Sequence, residues 1–419
     1  MIETFRGIFE RHGFEPIDTP ALEYLEVLTG KAGENEKLMY QFADAGGRDV
    51  GLRYDLTVPL ARFAAVHESE IVFPFKRYHI APVWRAEKPQ RGRFREFWQC
   101  DADIVGSSSM VADAEGVSIM AEALTAVGLP NFVIHISHRK LLHGLALAAG
   151  ADAALAGTVY RSVDKLAKIG TAGVRAELSA GGVEADVADR IVDSVVSSVP
   201  GDHQVRDLRD RLQGVPEGLA AIEELGQLLS LLEPLGVPAD RFVLDVSLAR
   251  GLDYYTGPVY EALVEQPKVG SVAGAGRYDG LVGSMLGRPM PATGMSLGLE
   301  RIIEVVQEFG LLPRRETVAD VFVAVFPTTV RESAGLARGL RAAGLNVDFS
   351  LQSQRGLGEQ LKYAGRRFIS LAVIAGETEF ANGHAAVKDL VTGAQVNIDL
   401  ADLADRLVGQ VSEGRSLFA

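Results

Sequence analysis

The first half of the chain switches between helical and strand-like spacing of its apolar residues. Apolar side chains recur every three or four positions from Ile2 to Phe9, which predicts a first helix that ends at Gly13. Within residues 71–105, apolar and polar residues alternate in two runs separated by a segment with Pro89 and Gly92, which predicts an antiparallel hairpin with a long loop. Beyond it we expect a helix over Val111–Val127, a strand over Phe132–Ile136 and a helix over His138–Ala148.

The second half contains a helical stretch followed by two regions with strands. Residues 151–237 are rich in Ala, Leu and Val at helical spacing, which predicts a helical insertion. Strand patterns return at Phe242–Val246 and Val259–Val264, before a helix pattern over Leu299–Phe309. From residue 319 onward, strands alternate with short helices, which indicates an α/β domain with a mostly parallel sheet. Its expected elements are strands within 321–326, 347–351 and 369–376, helices at Val330–Ala343, Glu359–Ala364 and Leu400–Val411, and two strands flanking Thr392-Gly393.

These patterns predict an α+β protein with a core, an insertion and a separate C-terminal domain. The core would comprise residues 1–150 and 238–312, interrupted by the insertion at 151–237. Pro313-Arg314-Arg315 is typical of a linker to the last domain, residues 319–419. A length of 419 residues agrees with more than one domain, because single hydrophobic cores rarely grow so large.

Composition narrows the class of protein. Hydrophobic residues make up 47% of the chain and charged residues 23%, which is typical of a globular soluble protein. A single cysteine, Cys100, excludes an internal disulfide and a Cys-rich metal site, and favours a reducing cytoplasm. No apolar run is long enough to span a membrane. The net charge of -13 argues against nucleic-acid binding over the whole surface, although a local basic cluster can still bind it.

The predicted hairpin carries a dense set of arginines and acids. Five arginines lie between Arg77 and Arg95, with Glu87, Glu96, Asp101 and Asp103 close by. Alternate residues of a strand face the same side, so two sets should share a face: Arg93, Arg95, Phe97 and Gln99 on one strand, and Arg85 and Glu87 on the other. Such a face suits a nucleoside triphosphate, because arginines neutralise phosphates and a ring stacks on the base. The alternative is a solvated strand with many ion pairs.

A second group of polar residues lies in RGLDYYTGPVYEA, residues 250–262. Arg250 can grip a carboxylate or a phosphate with two parallel hydrogen bonds, and Tyr255 offers a hydroxyl beside an apolar ring. This combination suits a small zwitterion beside a phosphate. Two glycine-rich stretches, 270–283 and 293–302, contain neither a P-loop nor a dinucleotide fingerprint.

Several motifs together resemble the histidyl-tRNA synthetases, a family of class II architecture, over nearly the whole chain. The matching segments are TPALE, LRYDLTVPLAR, VWRAEKPQRGRFREFWQCD, RGLDYYTGPVYEA, GAGRYDGLVG, GMSLGLERI, EQLKYA and LAVIAGE. The Arg-Gly-Leu-Asp-Tyr-Tyr and Gly-Arg-Tyr-Asp-Gly-Leu-Val segments are specific to this family. The resemblance implies a class II catalytic core on an antiparallel sheet, and an anticodon-binding domain at the C-terminus.

The resemblance also implies roles at an ATP site and a histidine site. Arg85 would bind the α-phosphate, Glu87 the adenine side and Arg93 the phosphates, while Phe97 and Arg301 enclose the adenine. Asp55, Thr57 and Gln99 would hold the α-amino group of histidine, with Asp103, Tyr255 and Tyr278 around the imidazole. Arg250 would bind the histidine carboxylate and the α-phosphate. Mg²⁺ would bind together with the nucleotide, and the protein would have no separate site whose side chains alone coordinate the metal.

The family's reaction activates histidine as an adenylate and then transfers it to the end of tRNA(His). For tRNA contacts we expect a basic cluster around one short helix, formed by Arg355, Lys362, Arg366 and Arg367, and the hairpin-loop residues Gln90 and Arg91. A homodimer is the family's habit. Family members usually carry a further segment ahead of the first helix, so either the start lies upstream or the protein lacks this segment.

Two other functions fit parts of the sequence. A paralogue of this family is the histidine-sensing regulatory subunit of the first enzyme of histidine biosynthesis and has no ligase activity. It tends to lose the Arg-Gly-Leu-Asp-Tyr-Tyr pattern and the anticodon-binding domain, and both are present here. An RNA-binding scaffold with a dead site would have lost Arg85, Arg250 or Arg301, and this chain keeps all three.

Overall fold

A computed structural model describes residues 1–29, 33–196, 203–248, 254–267, 269–311, 316–413 and 417. The chain forms two compact units, Met1–Leu312 and Pro313–Ala419. Arg250 and the proposed linker Pro313-Arg314-Arg315 lie outside the described residues. None of the helices that the structure describes has the length and apolar character that crossing a lipid bilayer requires.

The first unit is built on an eight-stranded sheet with the order β1-β5-β6-β11-β10-β9-β7-β8. Five of its seven pairings are antiparallel, and the two outermost pairings, β1 with β5 and β7 with β8, are parallel. A small sheet has the order β2-β4-β3. The strands are β1 (Glu15–Pro16), β2 (Leu22–Tyr24), β3 (Gln41–Ala43), β4 (Asp49–Leu52), β5 (Phe75–Trp84), β6 (Glu96–Val105), β7 (Phe132–His138), β8 (Phe242–Leu244), β9 (Pro258–Val264), β10 (Ala273–Arg277) and β11 (Ala292–Gly298).

Helices cover this sheet and fill the segment between β7 and β8. The helices of the first unit are α1 (Ile2–Arg11), α2 (Leu25–Leu28), α3 (Thr57–Val66), α4 (Met110–Ala126), α5 (Arg139–Ala148), α6 (Ala156–Val163), α7 (Leu166–Ala180), α8 (Ala185–Val196), α9 (Gln204–Arg211), α10 (Pro216–Leu232), α11 (Asp279–Leu286) and α12 (Leu299–Glu308). The apolar spacing of α1 buries Phe5, Ile8 and Phe9 in the main core, as the sequence predicts. Burying such side chains stabilises the fold by roughly 1.5–3 kcal/mol each. The helical character of the predicted insertion is confirmed in α6 to α10.

The predicted hairpin forms the second and third strands of the sheet. β5 and β6 pair antiparallel from Phe75 opposite Val105 to Trp84 opposite Glu96. Beyond the strands, the Arg85 amide still donates to the Arg95 carbonyl at 2.8 Å, and Gln90 and Arg93 form a bridge inside the loop. The hairpin prediction is confirmed, but the strands are shorter than the alternation suggests, so the arginines near the turn belong to the loop.

The second unit has a five-stranded sheet with the order β13-β12-β14-β15-β16. Its elements are β12 (Val321–Val323), α13 (Val330–Ala342), β13 (Val347–Phe349), α14 (Leu357–Arg366), β14 (Leu371–Ile374), α15 (Glu377–Ala381), β15 (His384–Asp389), β16 (Gln395–Asp399) and α16 (Leu403–Glu413). The expectation of a mostly parallel sheet is wrong. β12 pairs parallel with β13 and β14, whereas β14, β15 and β16 pair antiparallel. The tight turn at Thr392-Gly393 returns the chain as β16 beside β15, and the chain reverses between β14 and β15 through the short helix α15.

Candidate active site

A cavity opens over β6, β11, β10 and β9 of the large sheet, where their side chains project to one face. Apart from Arg250, which lies outside the described residues, the residues predicted for the ATP and histidine sites line it together. They are Asp55, Thr57, Arg85, Glu87, Arg93, Phe97, Gln99, Asp103, Tyr255, Tyr278 and Arg301. They come from distant parts of the first unit, so their convergence is a property of the fold.

Three guanidinium groups define one end of the cavity. Arg85 donates from Nε to the Tyr54 carbonyl at 3.0 Å, and its guanidinium carbon lies 5.1 Å from the centre of the Phe97 ring. Arg93 forms an ion pair with Glu87 at 3.0 Å. Arg301 donates to the backbone oxygens of Ser271 at 2.6 Å and Gly92 at 3.3 Å. Burial lowers the pKa of Arg301, and repulsion by Arg93 and Arg85 lowers it further. This end therefore favours an anion, which would relieve the repulsion.

Buried carboxyl groups define the other end. Asp103 on β6 lies 2.8 Å from Nη2 of Arg77, a fully buried residue of β5, and accepts a hydrogen bond from the Tyr278 hydroxyl. Asp55, just before α3, accepts from the Val58 amide at 3.0 Å. Burial raises the pKa of both carboxyl groups, because water no longer solvates the charged form. A cationic ligand group would offset that loss.

Tyrosine rings form the wall beside these acids. Tyr254 donates from its hydroxyl to Asp55 at 3.2 Å. Its ring centre lies 5.1 Å from that of Tyr255 and 5.9 Å from that of Tyr278, with edge-to-face geometry. Burial raises the pKa of all three phenols, so they remain protonated and can donate hydrogen bonds.

Two strand glycines make room for this wall. A Cβ atom at Gly294 of β11 would collide with the Asp103 carboxylate. A Cβ atom at Gly276 of β10 would lie 2.8 Å from the Tyr255 ring. Glycine is therefore required where the backbone passes close beneath the side chains of the site.

The structure corrects one prediction about the hairpin face. Arg93 and Arg95 were expected to share a strand face with Phe97 and Gln99, but β6 begins at Glu96. Arg93 reaches the cavity from the loop. Arg95 is exposed, and its Nε points to the Glu87 carbonyl at 3.5 Å. Loop residues follow the path of the turn, so strand alternation does not apply to them.

Among the cavity-lining residues that sequence reasoning missed are Asp101 and Tyr254. The period of two along β6 contains the signal for Asp101, because it lies between Gln99 and Asp103 on the same face. Tyr254 had no such signal, because it precedes β9 in an irregular segment.

The residues predicted to contact tRNA lie elsewhere on the two units. Gln90 and Arg91 are exposed in the hairpin loop, and Arg91 forms ion pairs of 3.0 and 2.7 Å with Glu304 and Glu308 of α12. The four residues of the predicted basic cluster are all exposed on or beside α14: Arg355, Lys362, Arg366 and Arg367. Within the described ranges, no three His, Cys, Asp or Glu side chains converge as metal ligands.

Comparisons with known proteins show which proteins the whole chain is similar to. Residues 1–302 match the family model described as histidyl-tRNA synthetase, and residues 320–410 match that of an anticodon binding domain. The chain is 43% identical to the histidine-tRNA ligase of Rhodopirellula baltica, over 94% of this chain and 89% of that protein. It is also 43% identical to the enzyme of that name from Aeropyrum pernix, over 96% and 92%. The crystal structure of histidyl-tRNA synthetase from Nostoc sp. superposes with a TM-score of 0.86 at 35% identity, covering 97% of this chain and 94% of that one.

Proposed function

Because the chain belongs to the histidyl-tRNA synthetase family, we propose that it is a histidine-tRNA ligase that activates L-histidine with ATP and transfers it to tRNA(His). The observation that carries the proposal is the cavity with guanidinium groups at one end and buried carboxyl groups and phenols at the other. ATP suits the first end and histidine the second. No protein nucleophile is needed, because the histidine carboxylate itself attacks the α-phosphorus and releases pyrophosphate.

The arginine end binds the nucleotide. Arg85 and Arg250 hold the α-phosphate, Arg93 contacts the other phosphates, and Glu87 meets the adenine side. Adenine lies between Phe97 and Arg301. Two anions must meet in the first step, so fixed positive charge lowers the barrier by electrostatic stabilisation and positioning. The repulsion that already lowers the pKa of Arg301 supports an anionic ligand here.

The carboxyl end selects histidine. Asp55, Thr57 and Gln99 hold the α-amino group, and Asp103 and the hydroxyls of Tyr255 and Tyr278 pair with the imidazole nitrogens. An amino acid of the same shape without these nitrogens would leave buried groups unpaired, at a cost of about 1–3 kcal/mol for each group.

The same proposal covers the partners of the reaction. Mg²⁺ would bind with the nucleotide and would neutralise phosphate charge. The cavity-lining carboxylates Glu261 and Glu300 would offer it oxygen ligands of the type that it prefers. The exposed cluster at α14 contacts tRNA phosphates, and Gln90 and Arg91 contact the acceptor end. The protein acts in the cytoplasm. It forms a homodimer, and a measurement of its native mass would test this oligomeric state.

The decisive test is histidine-dependent exchange of pyrophosphate into ATP, followed by charging of tRNA(His). Arg85→Ala should reduce exchange by about two to three orders of magnitude, the range seen when one preorganised donor to a developing charge is removed. Arg95→Ala is the matched control, because Arg95 is an exposed arginine of the same loop. Equal rates for the two variants would contradict the role of Arg85.

Arg250→Ala should abolish exchange while the melting temperature stays that of the parent protein.

The exchange assay on the unmodified protein also separates the ligase from the regulatory paralogue and from an RNA-binding scaffold. A histidine sensor would bind histidine without exchange, and a scaffold would bind RNA without exchange. Absence of exchange in the unmodified protein would reject the ligase.

A further inference from the structure

Asp101 is a third buried carboxyl group of the cavity. It lies on β6 between Gln99 and Asp103, is 2% exposed, and lines the same face as both. Among the described residues, its Oδ1 atom has no hydrogen-bond partner. A buried acceptor without a partner costs free energy, so its retention beside a binding cavity points to a ligand donor.

A serine on the neighbouring strand links Asp101 to Gln99. Ser296 of β11 lies directly opposite Asp101 in the sheet register. Its hydroxyl accepts from Gln99 Nε2 at 2.7 Å and donates to the Asp101 carboxyl group. This arrangement fixes the orientation of the Gln99 amide, whose Oε1 also has no partner within the described part of the chain. Gln99 Oε1 and Asp101 Oδ1 are thus two unpaired acceptors on alternate residues of β6, which face the same side of the strand.

The other two acids have less capacity to accept a new donor. Asp55 already accepts from the Val58 amide on one oxygen and from the Tyr254 hydroxyl on the other. Asp103 accepts from Tyr278 on Oδ1, and its Oδ2, which makes no hydrogen bond among the described residues, lies in an ion pair with Arg77. Among the described residues, Asp101 Oδ1 is therefore an oxygen of these three carboxyl groups that has neither a hydrogen bond nor an ion pair.

We propose that Asp101, held by Ser296, accepts the α-ammonium group of histidine together with Gln99, and so belongs to the amino-acid pocket. The proposal rests on the ligase function, because that function supplies histidine as the ligand. An ammonium group has three donors, so it can donate to both unpaired acceptors and still donate once to either Asp55 or Thr57. The charged form of Asp101 is the form that binds.

That requirement makes histidine binding depend on pH. Burial and the nearby charge of Asp103 raise the pKa of Asp101 to about 8, so the empty pocket holds a proton there at neutral pH. Binding of the ammonium group must displace this proton, which costs more at lower pH. The titratable or charged groups that surround Asp101 come from several elements: Cys100 and Asp103 on β6, Arg77 and His79 on β5, Arg53 after β4, Asp55 before α3, and Tyr255 before β9. Burial lowers the pKa of His79 to about 3, so it stays neutral across the range of interest.

Asp101→Asn is the test, because the amide has the shape of the protonated acid but cannot become an anion. We expect the KM for histidine in pyrophosphate exchange to rise about tenfold to a hundredfold at pH 8, as for loss of a charged hydrogen bond. The kcat and the KM for ATP should stay within about threefold, because binding that is equal in ground and transition states changes KM alone. The ratio of KM between variant and parent should grow from pH 6.5 to pH 8.5.

Two further variants complete the design. Ser296→Ala should raise the KM for histidine by a smaller factor, because it loosens Asp101 without removing its charge. Asp18→Asn is the matched control. Asp18 is a largely exposed carboxyl group that contacts Nε2 of His79, and replacing it should leave the KM for histidine at the parent value.

A KM for histidine within twofold of the parent at pH 8 would overturn the proposal. Equal losses for histidine and ATP, with a lowered melting temperature, would overturn it too, since they indicate a structural role. If the parent protein shows no exchange, the ligase function fails instead. Calorimetric titration with histidine alone then tests Asp101 separately, and equal affinity of parent and Asp101→Asn would reject its role.

Discussion

At the scale of single residues, burial sets the charge of the pocket. Asp55, Asp101 and Asp103 are each about 2% exposed, and one buried cation, Arg77, is paired with Asp103. Burial raises the pKa of all three acids. The pocket therefore resists holding three negative charges until a cation arrives. Burial of the three carboxyl groups gives the pocket its affinity for an ammonium group, and the same burial makes the empty pocket energetically costly.

The strand glycines beneath the pocket are as important for its shape as the charged groups that line it. We expect Gly294→Ala to reduce kcat/KM for histidine by about a hundredfold, because the new Cβ would displace the Asp103 carboxylate, and a shift near 1 Å is costly in an active site. Pyrophosphate exchange at varied histidine concentration measures the effect.

Gly116→Ala provides the control for Gly294→Ala. A Cβ at Gly116, inside α4, would meet no atom of the described residues within 4 Å, and alanine favours helix. This variant should keep parent activity. Parent activity in Gly294→Ala would show that the strand can move away, and would contradict the proposed close fit.

At the scale of elements, hydrophobic periodicity predicted the helices and the hairpin, because their positions depend on the local spacing of apolar residues. Helix α1, the hairpin of β5 and β6, and helices α4, α5, α12 and α13 lie within a few residues of their predicted bounds. Periodicity does not encode the direction of a neighbouring strand, which is why the mixed sheet of the second unit was predicted as mostly parallel. It also gives no signal for where pairing stops, which is why Arg95 was placed on a face. The site residues were found mainly through family motifs, since only the fold brings Asp55, Asp103 and Arg301 together.

The end of α14 contains an unusual residue for its conformation. Phe368 has a φ of 58° and is 63% exposed, directly after the helix. Its amide donates to the Gly365 carbonyl and the Ile369 amide to the Ala364 carbonyl, which closes the helix end. Glycine is usual at this position, because a Cβ disfavours the left-handed region.

We therefore expect Phe368→Gly to be more stable than Phe368→Ala by about 1 kcal/mol. Both variants remove the exposed ring, so the difference between them isolates the backbone strain. Urea-induced unfolding of the full chain, followed for the second unit by hydrogen exchange at β14, measures it. Equal stability of the two variants would contradict the strain.

At the scale of the whole molecule, charge is distributed unevenly. The chain carries a net charge of -13, yet α14 and its flanks present Arg355, Lys362, Arg366 and Arg367 to solvent in the second unit. The cavity with its arginine end and its carboxyl end belongs to the first unit. Histidine activation and tRNA binding should therefore respond to different substitutions.

The double change Arg366→Glu with Arg367→Glu tests this separation. It should raise the KM for tRNA(His) in charging by about tenfold or more, and the KM of the variant should depend less steeply on salt than that of the parent, because fewer phosphate contacts release fewer counterions. Pyrophosphate exchange should remain at the parent rate, since it needs no tRNA. The matched control is Arg331→Glu with Arg338→Glu on α13, which changes the net charge equally at two exposed arginines of the same unit. If both double variants weaken charging to the same degree, the total charge of the unit governs tRNA binding and the α14 cluster has no specific role.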